Sequence, residues 1–246
     1  MAGHSKWANI KHKKAAQDSK RGKVFTKIIK ELMVAAKTGG SDPEANPRLR
    51  QAISTAKAAN MPSDTISRNV QKGAGELEGV DYEELSYEGF GPEGVAIIMD
   101  VMTDNKNRTV AEIRHLMTKF GGNLGENGSV AWMFEKLGQV IIKTESTNEE
   151  KLFNDALEAG AEDFNKDASF FLITSNPSLT AELAEDLVKK GYNVISSKIE
   201  MVPKNIVEIS ETESSKLLSL MDKLEEHDDV QNIASNFQLT SSSSAS

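Results

Sequence analysis

The 246-residue chain has no cysteine, and this absence excludes several kinds of chemistry. Without a thiol there can be no disulfide, no cysteine nucleophile and no cysteine-ligated zinc. No run of about eighteen apolar residues occurs, so the sequence contains no candidate membrane-spanning helix. The first twenty residues lack the apolar segment of a secretory signal. We therefore expect a cytoplasmic protein that has no membrane partner.

The motifs of common enzymes are missing as well. We find no G-x-S-x-G, no H-E-x-x-H and no phosphate-binding P-loop. The four histidines match no zinc-site spacing. The segment Gly89–Gly94 matches G-x-G-x-x-G, but a predicted strand follows it where a dinucleotide site requires a helix. We read it as a hairpin turn and expect no catalysis, no cofactor and no metal.

Positive charge is scarce along most of the chain and concentrated at its start. Residues 1–75 hold 15 Lys and Arg against 5 Asp and Glu, a net charge of +10. The remaining residues hold 14 basic against 32 acidic groups, a net charge of −18. This asymmetry indicates a basic module that binds nucleic acid, joined to an acidic body that can offer surfaces to protein partners. The alternative is that basic and acidic faces only neutralise each other within one fold.

Apolar spacing predicts three helices in the basic part, over 21–38, 47–60 and 63–72, after a flexible arm over 1–20. Basic side chains fall on their outer faces and in the arm, where Trp7 could stack on a base or fold back onto the helices. The candidate nucleic-acid-binding residues are Lys6, Trp7, Lys11, His12, Lys13, Lys14, Lys20, Arg21, Lys23, Lys27, Lys30, Arg50, Lys57, Arg68 and Lys72.

After residue 78 the pattern changes to alternating strands and helices, so the predicted fold class is α+β. Over 136–204 the order βαββαβ is typical of a ferredoxin-like domain. A strand, a helix and a last strand near Val230–Phe237 follow, and they can complete the sheet that begins near residue 85. We therefore predict a three-helix domain and two α/β domains of ferredoxin-like type, one inserted in the other. Their ranges are 1–78, 79–135 with 205–240, and 136–204, before a disordered tail at 241–246.

Three further features bear on the site or the fold. Asp104–Thr109 lies between a predicted strand and a predicted helix, where it can form an Asx cap. It can also form an anion or partner site with Asn105, Asn107 and Arg108 at the helix N-terminus. The acidic clusters Asp81–Glu84 and Glu225–Asp229 could mimic paired catalytic carboxylates, but they are read as solvated ends of elements. Val130–Phe134 is read as a strand.

Several long motifs resemble the YebC/PmpR family over nearly the whole chain. They are AGHSKWANIKHKKAAQDSKRGK, NPRLRQAI, KAANMPSDTISRNVQKGAG, YEGFGPEGVAI, TDNKNRT and GGNLGENGSVAWMF. The resemblance implies a helical domain followed by two α/β domains, one inserted in the other. It also implies a cytoplasmic DNA-binding transcriptional regulator without catalytic residues, and a mitochondrial branch acts as a translational activator.

The sequence thus leaves three functions open. The first is control of transcription through duplex DNA, with Arg68 and Asn69 on the third helix available to base edges. The second is binding to ribosomal or messenger RNA, to which a flexible basic arm and a stacking tryptophan are suited. The third is a scaffold that acts through the acidic domains on protein partners.

Overall fold

The computed structural model describes residues 18–145, 147–167, 169–210 and 213–240, with the side chains of 18–21 left out. Residues 1–17 of the predicted arm and the predicted tail lie outside these residues, whereas residues 18–20 of the predicted arm are helical. The described residues form two compact units: one contains those up to Ala131 and those from Val207 onward, and the other lies within Trp132–Ile206. The finer division into three domains stays a prediction.

Helices and strands alternate after an all-helical start. The helices are α1 (Asp18–Gly39), α2 (Pro47–Ala58), α3 (Ser63–Gly73), α4 (Lys106–Lys119), α5 (Glu149–Glu158), α6 (Thr180–Lys189) and α7 (Ser215–Glu225). The strands are β1 (Glu83–Phe90), β2 (Ala96–Thr103), β3 (Asn123–Leu124), β4 (Phe134–Lys143), β5 (Ala161–Lys166), β6 (Phe170–Ser175), β7 (Val194–Pro203), β8 (Val207–Ser210), β9 (Val230–Ser235) and β10 (Phe237–Thr240). This arrangement confirms the predicted α+β class.

The first three helices share one apolar cluster, which includes the fully buried Leu32, Leu49 and Ala56. The helix α2 begins where the sequence predicts, because Asn46 Oδ1 accepts a hydrogen bond from Leu49 N at 3.0 Å and Pro47 occupies the first turn. Each helix therefore buries the apolar face that its residue spacing indicates.

The rest of the larger unit is a sheet covered by α4 and α7. Its strand order is β3-β1-β2-β9, and all neighbours are antiparallel. The strand β2 is central, and every residue in it except Asp100 is buried. The C-terminal strand β9 completes this sheet, as predicted, because it pairs with β2.

The predicted strand over 230–237 is in fact two strands in different sheets, since β10 pairs in parallel with β8. Asn236 explains the division. It is fully buried, and its Oδ1 accepts a hydrogen bond from Ala96 N at 2.8 Å. Its carbonyl accepts one from Val207 N at 2.7 Å. One residue thus satisfies backbone groups of both sheets, which a strand pattern cannot reveal.

The smaller unit has the antiparallel strand order β5-β6-β4-β7. This is the order expected of the βαββαβ, ferredoxin-like arrangement. Its core includes Val140, Ile142, Phe171 and Ile173. The first and last strands pair from Phe134↔Pro203 onward, so the two ends of the unit lie side by side.

The prediction of a strand over Val130–Phe134 is wrong. Residues Ala131–Met133 form a short helical turn, and the strand β4 begins only at Phe134. The backbone N–H groups of Val130 and Ala131 donate instead to the carboxylate of Glu88, each at 2.8 Å. In the part of the chain that the structure describes, every helix is too short or too polar to cross a bilayer.

Candidate nucleic-acid interface

The basic face of α1 lies against the C-terminal end of α7. Lys23 Nζ donates to the carbonyl of Glu226 at 2.9 Å, and Lys27 Nζ donates to that of Glu225 at 2.8 Å. The last carbonyls of a helix have no partner within the helix and carry partial negative charge, so lysines stabilise them. These two candidate residues therefore hold the helical part to the sheet part of the larger unit.

Lys30 is buried, with 4% of its surface exposed. Its ammonium forms an ion pair with Asp229 and donates to the carbonyls of Asp228 at 2.9 Å and Met102 at 3.2 Å. The prediction that Lys30 lies on an exposed basic face is therefore wrong. Residue spacing shows which side chains share a helix face, but it cannot show which neighbour covers that face.

Asp229 is the centre of this buried polar network. Its carboxylate accepts hydrogen bonds from Thr109 Oγ1 at 2.6 Å and Arg108 Nη2 at 3.0 Å, in addition to Lys30. Burial by itself raises the pKa of Asp229, but the bonds from Lys30, Thr109 and Arg108 outweigh it and hold the pKa well below its usual range. Glu225–Asp229 is thus not a fully solvated cluster, since its last member is buried.

The segment Asp104–Thr109 forms the predicted Asx cap. Asn105 Oδ1 accepts a hydrogen bond from Arg108 N at 3.1 Å, at the start of α4. The guanidinium of Arg108 reaches Asp104 Oδ1 at 2.8 Å as well as Asp229, whereas Asn107 is exposed. Arg108 therefore neutralises two of the protein's own carboxylates.

Two further ion pairs join the helical part to the residues that follow it. Lys37 pairs with Asp81. Arg48, which the sequence reading overlooked, binds Glu31 at 2.8 Å and Glu84 at 2.6 Å. The hydrogen bond from Arg48 lowers the pKa of Glu84. Only the distance in space between these residues, and no motif in the sequence, identifies them as partners.

The outer faces of α2 and α3 carry the candidate cations that stay available. Arg50, Lys57 and Arg68 are exposed, and Lys72 is half-buried. Arg50 donates to the carbonyl of Pro43 at 2.9 Å, which leaves its charge uncompensated. Within the described residues, none of these four side chains forms an ion pair with a carboxylate.

A shallow groove of about 470 Å³ lies between α2 and α3. Its apolar floor is formed by Ile53, Ile66 and Val70, and its polar lining by Ser41, Lys57, Ser63, Ser67, Gln71 and Glu76. Lys57 therefore lies at the edge of a concave surface that both helices form. We call the exposed cations Arg50, Lys57 and Arg68 the helix-pair face.

Asn69 does not reach a base edge, contrary to the prediction. It is 9% exposed, and its Nδ2 donates to the carbonyl of Thr65 at 2.7 Å. Its amide group is thus used within α3, and Arg68 is the side chain of the predicted pair that remains exposed.

Three side chains of types that can bind metal ions lie close together: Glu112, His227 and Asp229. Their polar atoms already bind protein partners. His227 Nδ1 accepts from Asp229 N at 3.1 Å, so its Nε2 carries the proton toward Glu112 Oε2 at 2.9 Å. The arrangement acts as a hydrogen-bonded junction between α4 and the end of α7.

The candidate residues Lys6, Trp7, Lys11, His12, Lys13 and Lys14 lie outside the described residues, as do the side chains of Lys20 and Arg21.

Residues 5–76 match the TACO1/YebC protein N-terminal domain, and residues 82–237 match the TACO1/YebC second and third domain. The chain belongs to the TACO1/YebC family. This confirms the resemblance drawn from the sequence motifs.

This chain aligns with other members of the family over almost its full length. A protein of Dictyoglomus turgidum named "Probable transcriptional regulatory protein" is 52% identical over 240 residues, which cover 97% of this chain and 96% of that protein. A protein of Natranaerobius thermophilus with the same name is 52% identical and covers 98% of each chain. The crystal structure of a conserved hypothetical protein from Aquifex aeolicus is 44% identical and superposes with a TM-score of 0.86, covering 98% of this chain and 99% of that one.

Proposed function

We propose that this family member is a non-enzymatic regulator of transcription that binds duplex DNA. The helix-pair face and the basic segment before α1 hold the phosphate backbone. The observation that carries this proposal is that some of the candidate basic side chains are bound within the protein and others are not. Lys23, Lys27 and Lys30 of α1 bind groups of their own unit. Arg50, Lys57 and Arg68 are exposed and have no carboxylate partner among the described residues.

Phosphate neutralisation is the chemistry that such a surface provides. Each Lys or Arg that contacts a phosphate releases condensed counterions, so the affinity falls as salt rises. Lys57 lies at the edge of the shallow groove between α2 and α3 and can neutralise a phosphate placed there. The names of the Dictyoglomus and Natranaerobius relatives support a role in transcription.

A second candidate function is binding to ribosomal or messenger RNA. It is favoured by the position of Asn69, because the buried amide removes one of the two side chains proposed to read bases from α3. Phosphate contacts position a protein on a nucleic acid but carry no sequence information. A surface of this kind suits an RNA recognised by its shape as well as it suits DNA.

The test is a competition between nucleic acids, measured by fluorescence anisotropy at about 150 mM salt and repeated across a salt series. A labelled promoter duplex is displaced by unlabelled duplex, by structured RNA or by ribosomes. Tight binding to particular duplexes with a shallow salt dependence supports the DNA proposal. A preference for RNA or ribosomes, with DNA lost steeply as salt rises, supports the alternative.

Charge reversal then locates the surface. The triple variant Arg50→Glu, Lys57→Glu, Arg68→Glu is expected to weaken binding at least tenfold and to reduce the salt slope by about 2 to 3. The arm variant Lys11→Glu, Lys13→Glu, Lys14→Glu, Arg21→Glu is expected to abolish binding without unfolding the protein. The matched control reverses the exposed Lys136, Lys143 and Lys151 in the smaller unit. Equal affinity of all three variants and wild type would refute the assignment.

A further inference from the structure

Most of the positive charge in the α/β part of the larger unit lies on one helix, α4. Residues 79–135 and 205–240 together hold 6 Lys and Arg against 18 Asp and Glu. Four of those 6 cations lie on α4, at Lys106, Arg108, Arg114 and Lys119, but only one of the acids, Glu112, does. Random placement of charge on an acidic region does not concentrate its few cations in this way.

The cations of α4 point away from the core. Ile113 and Met117 are fully buried against the sheet, whereas Arg114, His115 and Lys119 are exposed. At about 100° per residue, Arg108, His115 and Lys119 lie within about 40° of arc along one side of the helix, and Arg114 lies about 100° from His115 on the adjoining side. We call the residues Arg108, Arg114, His115 and Lys119 the α4 stripe.

Little on the helix itself offsets this charge. Glu112 is hydrogen-bonded to His227. Only Arg108 in the stripe forms an ion pair with described carboxylates. Arg114 and Lys119 have no such partner within the described ranges, and Lys119 Nζ lies 5.8 Å from the centre of the Phe120 ring. Arg108 has the four-residue spacing of helix-surface ion pairs with both Asp104 and Glu112, and it pairs with Asp104. Arg114 and Lys119 have no acidic residue three or four positions away in the sequence.

The α4 stripe begins where the basic helix α1 docks. Arg108 and Lys30 bind the same carboxylate, that of Asp229. Lys23 and Lys27 bind the carbonyls of Glu226 and Glu225, only a few residues before Asp229 in the chain. The N-terminal half of α1 and the start of α4 are thus neighbours within one compact unit, and the predicted basic arm joins the structure at this end of α1.

We propose that α4 is a second phosphate-binding surface, which contacts the backbone of the same duplex DNA as the helix-pair face. This inference rests on the proposed function and extends it to the acidic part of the chain. From Arg108 to Lys119 the helix rises about 16 Å, over which one strand of B-DNA presents about five phosphates. Arg114 and Lys119, which have no carboxylate partner among the described residues, supply the cations for those phosphates from two adjoining sides of the helix, while the surrounding carboxylates repel nucleic acid placed elsewhere.

The experiment compares the double variant Arg114→Glu, Lys119→Glu with wild type in the full chain. The control, Lys143→Glu, Lys151→Glu, changes the net charge equally on exposed residues of the smaller unit. The probe is a labelled 30-base-pair duplex, measured across a salt series. The α4 variant is expected to bind at least fivefold more weakly, with a salt slope reduced by about 2, and the control to behave like wild type. Circular dichroism checks folding, and Arg114→Gln, Lys119→Gln replaces a variant that fails to fold.

The outcomes separate the two proposals. If wild type binds duplex DNA and the α4 variant keeps its affinity and salt slope, the α4 surface is refuted and the proposed function stands. An equal loss in the α4 variant and the control also refutes the α4 surface, since only total charge would then matter. If wild type binds no duplex, both proposals fail together.

Discussion

Asp229 is the residue on which the larger unit's polar interior depends. It receives Lys30, Arg108 and Thr109 within a buried site, where an ion pair is favourable only if its remaining hydrogen-bonding groups are satisfied. Glu88 has a similar position in β1, because its buried carboxylate accepts three backbone N–H groups, including that of Gly128 at 2.7 Å. Both residues look like ordinary surface acids in the sequence.

Replacing Asp229 with asparagine is expected to destabilise the larger unit by about 3 to 5 kcal/mol, because the charge of the buried Lys30 loses its partner. The change is measured as a lower urea midpoint of unfolding. The matched control is Asp228→Asn, whose exposed side chain should be replaceable at little cost. A loss below about 1 kcal/mol for Asp229→Asn would show that the pair is not needed for stability.

Glu88 should make stability depend on pH. Burial raises the pKa of Glu88, but the hydrogen bonds from Gly128, Val130 and Ala131 outweigh this and lower it below the usual 4.5. Its folded-state pKa therefore lies below the unfolded value, so its stabilisation is present above about pH 4.5 and is lost as pH falls further. Glu88→Gln should cost about 1.5 to 3 kcal/mol at pH 7 and flatten the pH dependence of the unfolding midpoint in acid. The exposed Glu93→Gln serves as control.

At the scale of elements, close approach between α1 and α3 fixes the helical part. A Cβ atom on Gly73 would lie 2.2 Å from the carbonyl oxygen of Met33, so only glycine allows the last turn of α3 to reach the backbone of α1. The lysines of α1 then bind the end of α7 on the other side of the helix. The helix α1 is thus held between the helical cluster and the sheet part.

Gly73→Ala is expected to destabilise the protein by about 1 to 3 kcal/mol, since a backbone atom must shift to admit the methyl group. The matched control is Gly22→Ala in α1, where no atom lies within 4 Å of the added Cβ. That change should be neutral or should stabilise by up to about 1 kcal/mol. Thermal unfolding followed by circular dichroism measures both. An equal effect of the two substitutions would contradict the steric argument.

At the scale of the whole chain, the smaller unit has ends that meet. The strands β4 and β7 pair from Phe134↔Pro203, and Lys204 N donates to the carbonyl of Met133 at 2.9 Å. A segment whose ends lie side by side can be inserted in a loop of another domain, or removed from it, without disturbing the fold. The core of this unit lies within its own residues.

We therefore expect Trp132–Ile206 to fold when expressed alone, with a cooperative thermal transition. We also expect a chain in which Ala131 is joined to Val207 by a short Gly-Ser linker to keep its nucleic-acid affinity, since every residue of the helix-pair face and the α4 stripe lies outside the removed segment. Anisotropy titration of the shortened chain tests this. A folded but non-binding product would show that the smaller unit contributes to binding.

Much of this organisation was predictable from the sequence alone. The apolar spacing of α2, with Asn46 and Pro47 before it, determines where that helix begins. The βαββαβ order and the long motifs determine the α+β class and the family. These signals are local, because hydrophobic periodicity and capping act over a few residues.

Tertiary structure alone decided which charged residues are available to a ligand. Lys30 and Arg50 look alike in the sequence, yet one is buried beside Asp229 and the other is exposed. The division of the last strand at Asn236 and the pairing of Arg48 with Glu84 likewise depend on segments far away in the chain. Burial and ion pairing are properties of contacts between distant segments, and a single helix or strand pattern carries no information about its neighbours in space.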